Sequence, residues 1–177
     1  MDRLIQRRTV LAAGSIATLA PGLLRAQSYK AEYKMSVVGN RPLGTSVAAF
    51  RWAELVAERT QGRINIKVYP GSQLVGGDQT REMVSMRQGV IDMVVSSTIN
   101  LAPQIREMNL FSLPFLMPDS RAFDALTQGG PVRAALDAVL AQRDAVSLAW
   151  SENGFRQVSN SKRPVRKPDD LKGKKIG

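Results

Sequence analysis

The sequence of 177 residues contains no cysteine and no histidine, and aromatic side chains make up only 6% of it. Without cysteine the chain has no disulfide framework, no thiolate metal site and no cysteine nucleophile. Without histidine it lacks the commonest general base and the commonest metal ligand, so the familiar triads and zinc sites are excluded. The low aromatic content argues against a stacking platform for single-stranded nucleic acid.

The N-terminal segment has the features of an export signal. Three arginines within the first eight residues precede an uncharged, mostly apolar run over 9–24, and Ala26 offers a small residue for cleavage. The run is shorter than a typical membrane span, and Pro21-Gly22 interrupts its far end. We therefore predict an export signal over residues 1–26, with the choice between the general secretory and twin-arginine routes left open.

Basic residues outnumber acidic ones, 25 to 15, which gives a formal net charge of +10. A positive balance suits either nucleic acid or anionic small molecules. Because an exported chain rarely meets nucleic acid, we expect an anionic small molecule and no nucleic-acid partner. Much of the basic excess after the export signal lies in 162–175, where it could also form an ordinary solvated face.

Alternating strand and helix patterns follow the N-terminal segment. Residues 63–69 alternate strictly between polar and apolar side chains, as in a half-buried strand. The order of elements predicts an α/β fold with a mostly parallel sheet flanked by helices. The predicted strands lie at 34–38, 63–69, 90–95 and 146–150, and the predicted helices lie at about 45–59, at 78–88, at 119–127 and from Pro131 onwards.

Side-chain spacing also predicts which residues are buried. The run over 90–95 is almost continuously apolar, which suits a strand buried on both faces. The apolar segment 110–117 is broken by Pro114 and followed by Pro118, so we expect an irregular buried segment. The apolar face of the first helix is predicted to hold Ala48, Trp52, Leu55 and Val56.

Ligands of parallel sheets bind at the carboxyl ends of the strands. This rule selects three places in the sequence, which are 39–46, 96–100 and 150–156.

Several segments together resemble the DctP-type solute-binding proteins of tripartite ATP-independent periplasmic (TRAP) transporters. They occur in family order and at family spacing across almost all of residues 29–176. The matching segments are AELVAERTQGRI (53–64), VYPGSQL (68–74), GVIDM (89–93), LPFL (113–116), NGFRQ (153–157), NSKRPV (160–165) and PDDLKGKKI (168–176).

The resemblance implies a periplasmic-binding-protein-like fold of class II type, in which two α/β lobes close on a ligand like a hinge. Residues 27–150 then form the first lobe, and 151–177 cross into an incomplete second lobe. Family members are nearly twice as long and continue with an arginine and Val-Pro where this sequence has Gly177. We therefore expect most of the second lobe to be missing, tight ligand binding to be lost and solubility to be marginal.

The resemblance also implies a transport function in the periplasm. The ligand would be a small organic acid, such as a sugar acid or a C4-dicarboxylate, and the loaded protein would deliver it to the TRAP membrane permease subunits. No chemistry is done on the ligand, so no catalytic residue, cofactor or metal is expected.

Arg156 in NGFRQ matches an arginine that binds the ligand carboxylate in many family members. A guanidinium is always charged and forks onto a carboxylate through two parallel hydrogen bonds. The alternative for Arg156 is a surface arginine in a structural turn. We prefer the binding role because Arg156 follows the predicted strand over 146–150.

Four further residues are weaker candidates by the same resemblance. Asn40 could face the ligand or simply occupy a turn. Ser97 and Thr98 could contact the ligand or cap the following segment. Trp150 could line the cleft or belong to the core. Asp78 and Glu82, at the start of the second helix, are interpreted as capping and dipole charges, since carboxylates would repel an acidic ligand.

Three other interpretations stay open. An enzyme would have to use carboxylates, lysine or tyrosine, and no paired carboxylates sit at the predicted strand ends. A basic module could bind anionic surfaces through 162–175. The chain could also be a truncated gene product that no longer binds a ligand.

Overall fold

Three short strands form one parallel sheet in a computed structural model that describes residues 29–155 and 160–173. The central strand is the first in the sequence, since the spatial order is second, first, third. The predicted α/β class with a parallel sheet flanked by helices is confirmed. The strands are β1 (Tyr33–Val37), β2 (Ile66–Pro70) and β3 (Met93–Val95).

Five α-helices occur in the described part of the chain, joined by turns and short 3₁₀ segments. The predicted helices are all found, although the one expected over 78–88 is divided into a 3₁₀ turn and a shorter α-helix. The α-helices are α1 (Gly44–Arg59), α2 (Glu82–Arg87), α3 (Thr98–Leu101), α4 (Ser120–Thr127) and α5 (Gly130–Ala141), and the 3₁₀ segments are Gln73–Val75, Gln79–Arg81, Arg106–Ser112 and Pro168–Leu171.

Helix α1 covers one face of the sheet with its smallest side chains. Ala49 and Ala53 are buried and pack with Met35, Val37 and Ile66. The predicted burial of Ala48 and Trp52 is wrong, because the buried stripe lies one position further along the helix. Val56 packs against this cluster as predicted, and Leu55 is half-buried. Small residues on the inner face let the helix approach the sheet closely, whereas the Trp52 ring stays at the rim.

A second core forms among the helices. Leu136 and Leu140 of α5 are buried there, as their helical spacing predicts. They pack with a group contributed by α2, by the 3₁₀ segment before α4 and by the loops, namely Met83, Ile105, Met108 and Ala145. We call this group of six buried residues the helical core.

The boundaries of α4 and α5 follow from their sequence. The Asp119 carboxylate accepts the Ala122 N–H at 3.0 Å, which caps α4. This backbone hydrogen bond, with a smaller contribution from the Arg121 side chain, holds the pKa of Asp119 below its usual value. Gln128 and Gly129 lie between the two helices, Gly130 is the first residue of α5, and Pro131 occupies its first turn. The predictions for these two helices are confirmed.

Three apolar segments differ from their predictions. Strand β3 covers only 93–95 and is half-buried, since it is an edge strand of the sheet, and Val90 lies outside it and is 47% exposed. The segment 110–117, expected to be buried, turns outwards after Ser112, and Phe115 is 97% exposed. Residues 146–150 form no strand, since a strand needs a neighbour for its hydrogen bonds and none of the three described strands lies beside them.

Among the described helices, none is long and apolar enough to cross a membrane.

Candidate functional site

Strands β1 and β3 are parallel neighbours, so the residues that follow them leave the sheet at the same edge. The Val38 N–H donates to the Val95 carbonyl at 3.2 Å, which extends this contact beyond the paired residues. Asn40 therefore follows β1 at the edge where Ser97 and Thr98 follow β3. Three of the five predicted ligand-binding residues are brought to one edge of the sheet in this way, as the strand-end rule predicts.

The loop after β1 places Asn40 against the turn that ends β2. The Asn40 carbonyl accepts the Leu43 N–H at 2.9 Å, and the Gly71 N–H donates to the Gly39 carbonyl at 3.1 Å. A Cβ atom on Gly71 would lie 2.7 Å from the Asn40 Oδ1 atom, and Gly71 has a φ of +64°. Only glycine fits this position, because it allows both the left-handed backbone and the close approach of the carboxamide.

Ser97 immediately precedes α3 and is half-buried, as is Thr98. The Ser97 backbone is extended, with a φ of −82° and a ψ of 145°, as at many helix starts. Its hydroxyl makes no capping hydrogen bond, although its carbonyl accepts the Asn100 N–H at 2.9 Å. The capping alternative for this side chain is therefore not supported.

A cation beside Asn40 was missed in the sequence. The Arg41 guanidinium carbon lies 3.9 Å from the centre of the Phe50 ring, within the range of a cation–π contact. Within 29–155 and 160–173, Arg41 forms no ion pair. The loop after β1 thus carries an arginine whose guanidinium lies over an aromatic ring of α1. The sequence feature that could have identified Arg41 is its position in the loop after a predicted strand, directly after the candidate residue Asn40.

The two carboxylates at the start of the second predicted helix have different environments. Asp78 is a cap, as predicted, because its Oδ1 atom accepts the Thr80 hydroxyl at 2.7 Å and the Thr80 N–H at 3.1 Å. These two hydrogen bonds hold the pKa of Asp78 below its usual value, and the bond from the hydroxyl contributes more than the bond from the N–H.

Glu82 lies in the first turn of α2, as its interpretation as a dipole charge requires, but the sequence did not indicate that it is buried. Its side chain is fully buried and accepts hydrogen bonds from the hydroxyls of Ser36 and Ser72. A glutamate in the first turn of a helix has the same sequence pattern whether it is exposed or buried. The hydrogen-bond partner Ser36 lies 46 residues earlier in the chain, so no local sequence pattern indicated that Glu82 is buried.

Trp150 is partly buried and packs against the helical core. Its ring stacks on Phe111 with centroids 5.2 Å apart and an interplanar angle of 27°. The indole Nε1 atom is buried and has no hydrogen-bond partner among the described residues. Arg156 lies outside the described residues, and the described stretch before it ends at the exposed Phe155.

The basic segment near the C-terminus contains its own acidic partners. The Lys172 ammonium lies 2.9 Å from the Asp169 carboxylate, and the Asp170 carboxylate accepts the N–H groups of Arg166 and Lys167. The described residues contain no group of three or more acidic side chains that could hold a metal ion.

Comparison with known proteins identifies the family of this chain. The family described as bacterial extracellular solute-binding protein, family 7 (DctP), matches residues 38–177. The 2,3-diketo-L-gulonate-binding periplasmic protein YiaO of Escherichia coli K12 is 37% identical over 161 residues, which are 91% of this chain and 47% of that protein.

Two solved structures of TRAP periplasmic solute-binding proteins share the fold. The protein from Ralstonia eutropha H16, with bound (S)-2-acetolactate, is 62% identical with a TM-score of 0.77, covering 82% of this chain and 46% of that chain. The protein from Sulfurospirillum deleyianum, with bound succinate, is 26% identical with a TM-score of 0.68, covering 80% and 45%. This chain spans about half the length of the relatives it matches. The family resemblance seen in the sequence is confirmed, and the chain belongs to family 7 of the bacterial extracellular solute-binding proteins, the DctP family of TRAP transporters.

Proposed function

We propose that this protein is the extracytoplasmic solute-binding subunit of a TRAP transporter and not an enzyme. It binds a small organic acid through its carboxylate and delivers it unchanged to the membrane permease subunits. The observation that carries the proposal is the convergence of Asn40, Ser97 and Thr98 at the carboxyl edge of two neighbouring parallel strands. The Arg41 guanidinium lies in the same loop and adds a charge that attracts an anion.

The ligand class follows from the side chains at this edge and from the relatives. An amide and two hydroxyls can each donate and accept hydrogen bonds, so they suit a ligand with hydroxyl or keto groups beside its carboxylate. The relative that is 62% identical holds (S)-2-acetolactate, which has all three groups. We therefore propose a short hydroxy- or oxo-carboxylic acid as the ligand.

Arg156 is proposed as the main carboxylate anchor. Its planar guanidinium can form two parallel hydrogen bonds with a carboxylate, which fixes both the charge and the orientation of the ligand. Trp150, six residues earlier, is proposed to support this segment from the helical core and to line the cleft only with the edge of its ring.

The proposed location is the periplasm, reached through the export signal over 1–26. Residues 27–150 are the proposed first lobe, and 151–177 lead towards the second. N-terminal sequencing of protein recovered from the periplasm should find Gln27 as the first residue. A chain that keeps its first residues and stays in the cytoplasm would contradict this part of the proposal.

Titration calorimetry with (S)-2-acetolactate, and with succinate as a second probe, tests the function. With both lobes present, Arg156→Ala should weaken binding at least about 30-fold, because a charged pair in a closed cleft loses its partner. Arg156→Lys should also weaken binding, since lysine cannot form the two-pronged contact.

The matched control is Arg59→Ala, which removes the same charge from the exposed last turn of α1 and should leave affinity unchanged. Unchanged affinity in both Arg156 variants would remove that residue from the site. A protein with both lobes that binds neither acetolactate nor succinate would refute the proposed function.

A further inference from the structure

Glu82 is a buried acidic residue that the binding proposal does not use. The residue is 0% exposed, as are Ser36 and Ser72. Its Oε1 atom accepts the Ser36 hydroxyl at 2.7 Å and the Ser72 hydroxyl at 2.9 Å. Over the described ranges it forms no ion pair with lysine or arginine. A carboxyl group is costly to bury without hydrogen-bond partners, so its two hydroxyl donors are important to it.

The two serines connect Glu82 to different parts of the fold. Ser36 lies in the middle of β1, where its side chain points to the face opposite Met35 and Val37. Ser72 follows the end of β2, and its N–H donates to the Val37 carbonyl at 3.1 Å. One serine is therefore part of the sheet, and the other belongs to the turn at the carboxyl edge.

Ser72 holds a backbone conformation that is unfavourable for a residue with a side chain. Its φ is +52° and its ψ is +31°, in the left-handed region. Its carbonyl accepts the N–H groups of Val75 and Gly77, both at 3.0 Å. The turn is therefore held by the Ser72 carbonyl and also by the Ser72 side chain, whose hydroxyl donates to Glu82.

This turn is packed directly against a proposed ligand contact. Gly71 precedes Ser72, and the Asn40 carboxamide lies so close to Gly71 that a Cβ atom there would be 2.7 Å from Oδ1. The Gly71 N–H also holds the Gly39 carbonyl, next to Asn40. A continuous series of contacts thus runs from the buried carboxylate through the turn to the loop after β1.

We propose that Glu82 is a positioning residue for the binding site, which acts through Ser72 and Gly71 on the Asn40 carboxamide. This inference rests on the proposed function only in treating Asn40 as a ligand contact. The positioning itself is a property of the protein without ligand, so it can be tested separately.

The first experiment compares Ser72→Ala with Ser36→Ala by amide hydrogen exchange on the ligand-free protein. Each variant removes one buried hydroxyl donor from the same carboxylate oxygen, so the two are matched in chemistry. In Ser72→Ala the exchange of the Gly71 and Leu43 N–H groups should become about tenfold faster than in Ser36→Ala, since a hydrogen bond that resists local opening is lost. Equal rates at these two groups in the two variants would overturn the proposal.

The second experiment measures binding of (S)-2-acetolactate to the same variants. Ser72→Ala should weaken binding about tenfold and Ser36→Ala by less than about twofold, because only Ser72 directly follows Gly71, which contacts the Asn40 loop. In an Asn40→Ala background, Ser72→Ala should have no further effect. A full effect of Ser72→Ala in that background would overturn the proposal. Absence of all binding by the unmodified protein counts against the proposed function instead, and the exchange rates then decide the positioning alone.

Discussion

Apolar segments are buried to different extents in the region around the sheet (residues 33–95) and in the region that follows it (residues 98–155). In the first, Met35 and Val37 are buried beneath α1 because they alternate along a strand with neighbours on both sides. In the second, the helices bury their own core, but Phe115 is 97% exposed and Val146 is 82% exposed.

This difference in burial depends on whether a neighbouring strand is present and not on how apolar the segment is. The central strand β1 has parallel neighbours on both edges, so its backbone groups are paired and its register is set. The segment 146–150 is equally apolar, yet among the described residues no strand offers it hydrogen bonds. A hydrophobic run therefore becomes a buried strand only where a neighbouring strand completes it.

The largest expected effect tests whether the helical core is packed as closely as the sheet region. Ile105 is 0% exposed, so Ile105→Ala should lower the free energy of unfolding by about 2–4 kcal/mol, measured by urea denaturation. Ile99 in α3 is 51% exposed, and Ile99→Ala is the matched control with an expected loss below about 1 kcal/mol. Equal, small losses would mean that the helical core is loosely packed.

A smaller effect sharpens the comparison at the carboxyl edge of the sheet. Gly71→Ala should cost about 2–3 kcal/mol, because alanine disfavours positive φ and its Cβ atom meets Asn40. Gly62 also has a positive φ, of +75°, but nothing lies within 4 Å of a Cβ atom there. Gly62→Ala should therefore cost only about 1 kcal/mol in thermal unfolding. Equal costs would show that the Asn40 contact adds nothing.

The smallest effect concerns pH at the opposite edge of the sheet. Asp92 accepts the Lys34 N–H at 2.9 Å and pairs with the Lys30 ammonium. Burial alone would raise the pKa of Asp92, but the hydrogen bonds from Lys30 and Lys34 outweigh it and hold the pKa below its usual value. Stability from this carboxylate is therefore present above its unfolded pKa of about 3.9 and is lost as pH falls through the folded value.

Asp92→Asn should accordingly reduce stability at neutral pH and make acid unfolding less steep. Lys30→Gln keeps the bond from the Lys34 N–H and should produce part of the same change. Unfolding curves recorded between about pH 2 and pH 7 give the measurement, since this range includes the usual carboxylate pKa. An unchanged acid limb in Asp92→Asn would contradict the expected contribution.

Local sequence signals predicted most of the elements in both regions. Strict alternation identified β2, and the capping aspartate, the glycine pair and the following proline identified α4 and α5. These signals act within a few residues, so they can be read from the chain alone. The buried face of α1 was misplaced by one position, since the closeness of the helix to the sheet is decided by Ala49 and Ala53 together with the strands below them.

The candidate site was less predictable because it depends on contacts between distant residues. The strand-end rule correctly brought Asn40 and Ser97 to one edge, since it needs only the order of the strands. It could not reveal that Arg41 rests on Phe50 or that Glu82 joins Ser36 to Ser72. Both arrangements require the folded positions of separate elements, which no local pattern encodes.

The central position of β1 has a consequence for synthesis. A ribosome makes this strand before either of its neighbours, yet its second edge stays unpaired until residues 93–95 have emerged and been placed beside it. The middle of the sheet is thus the first part translated and the last to be completed. Such non-local pairing slows folding and leaves an unpaired strand edge exposed in the nascent chain. The growing polypeptide therefore needs protection from aggregation for about as long as translation of those sixty or so residues takes.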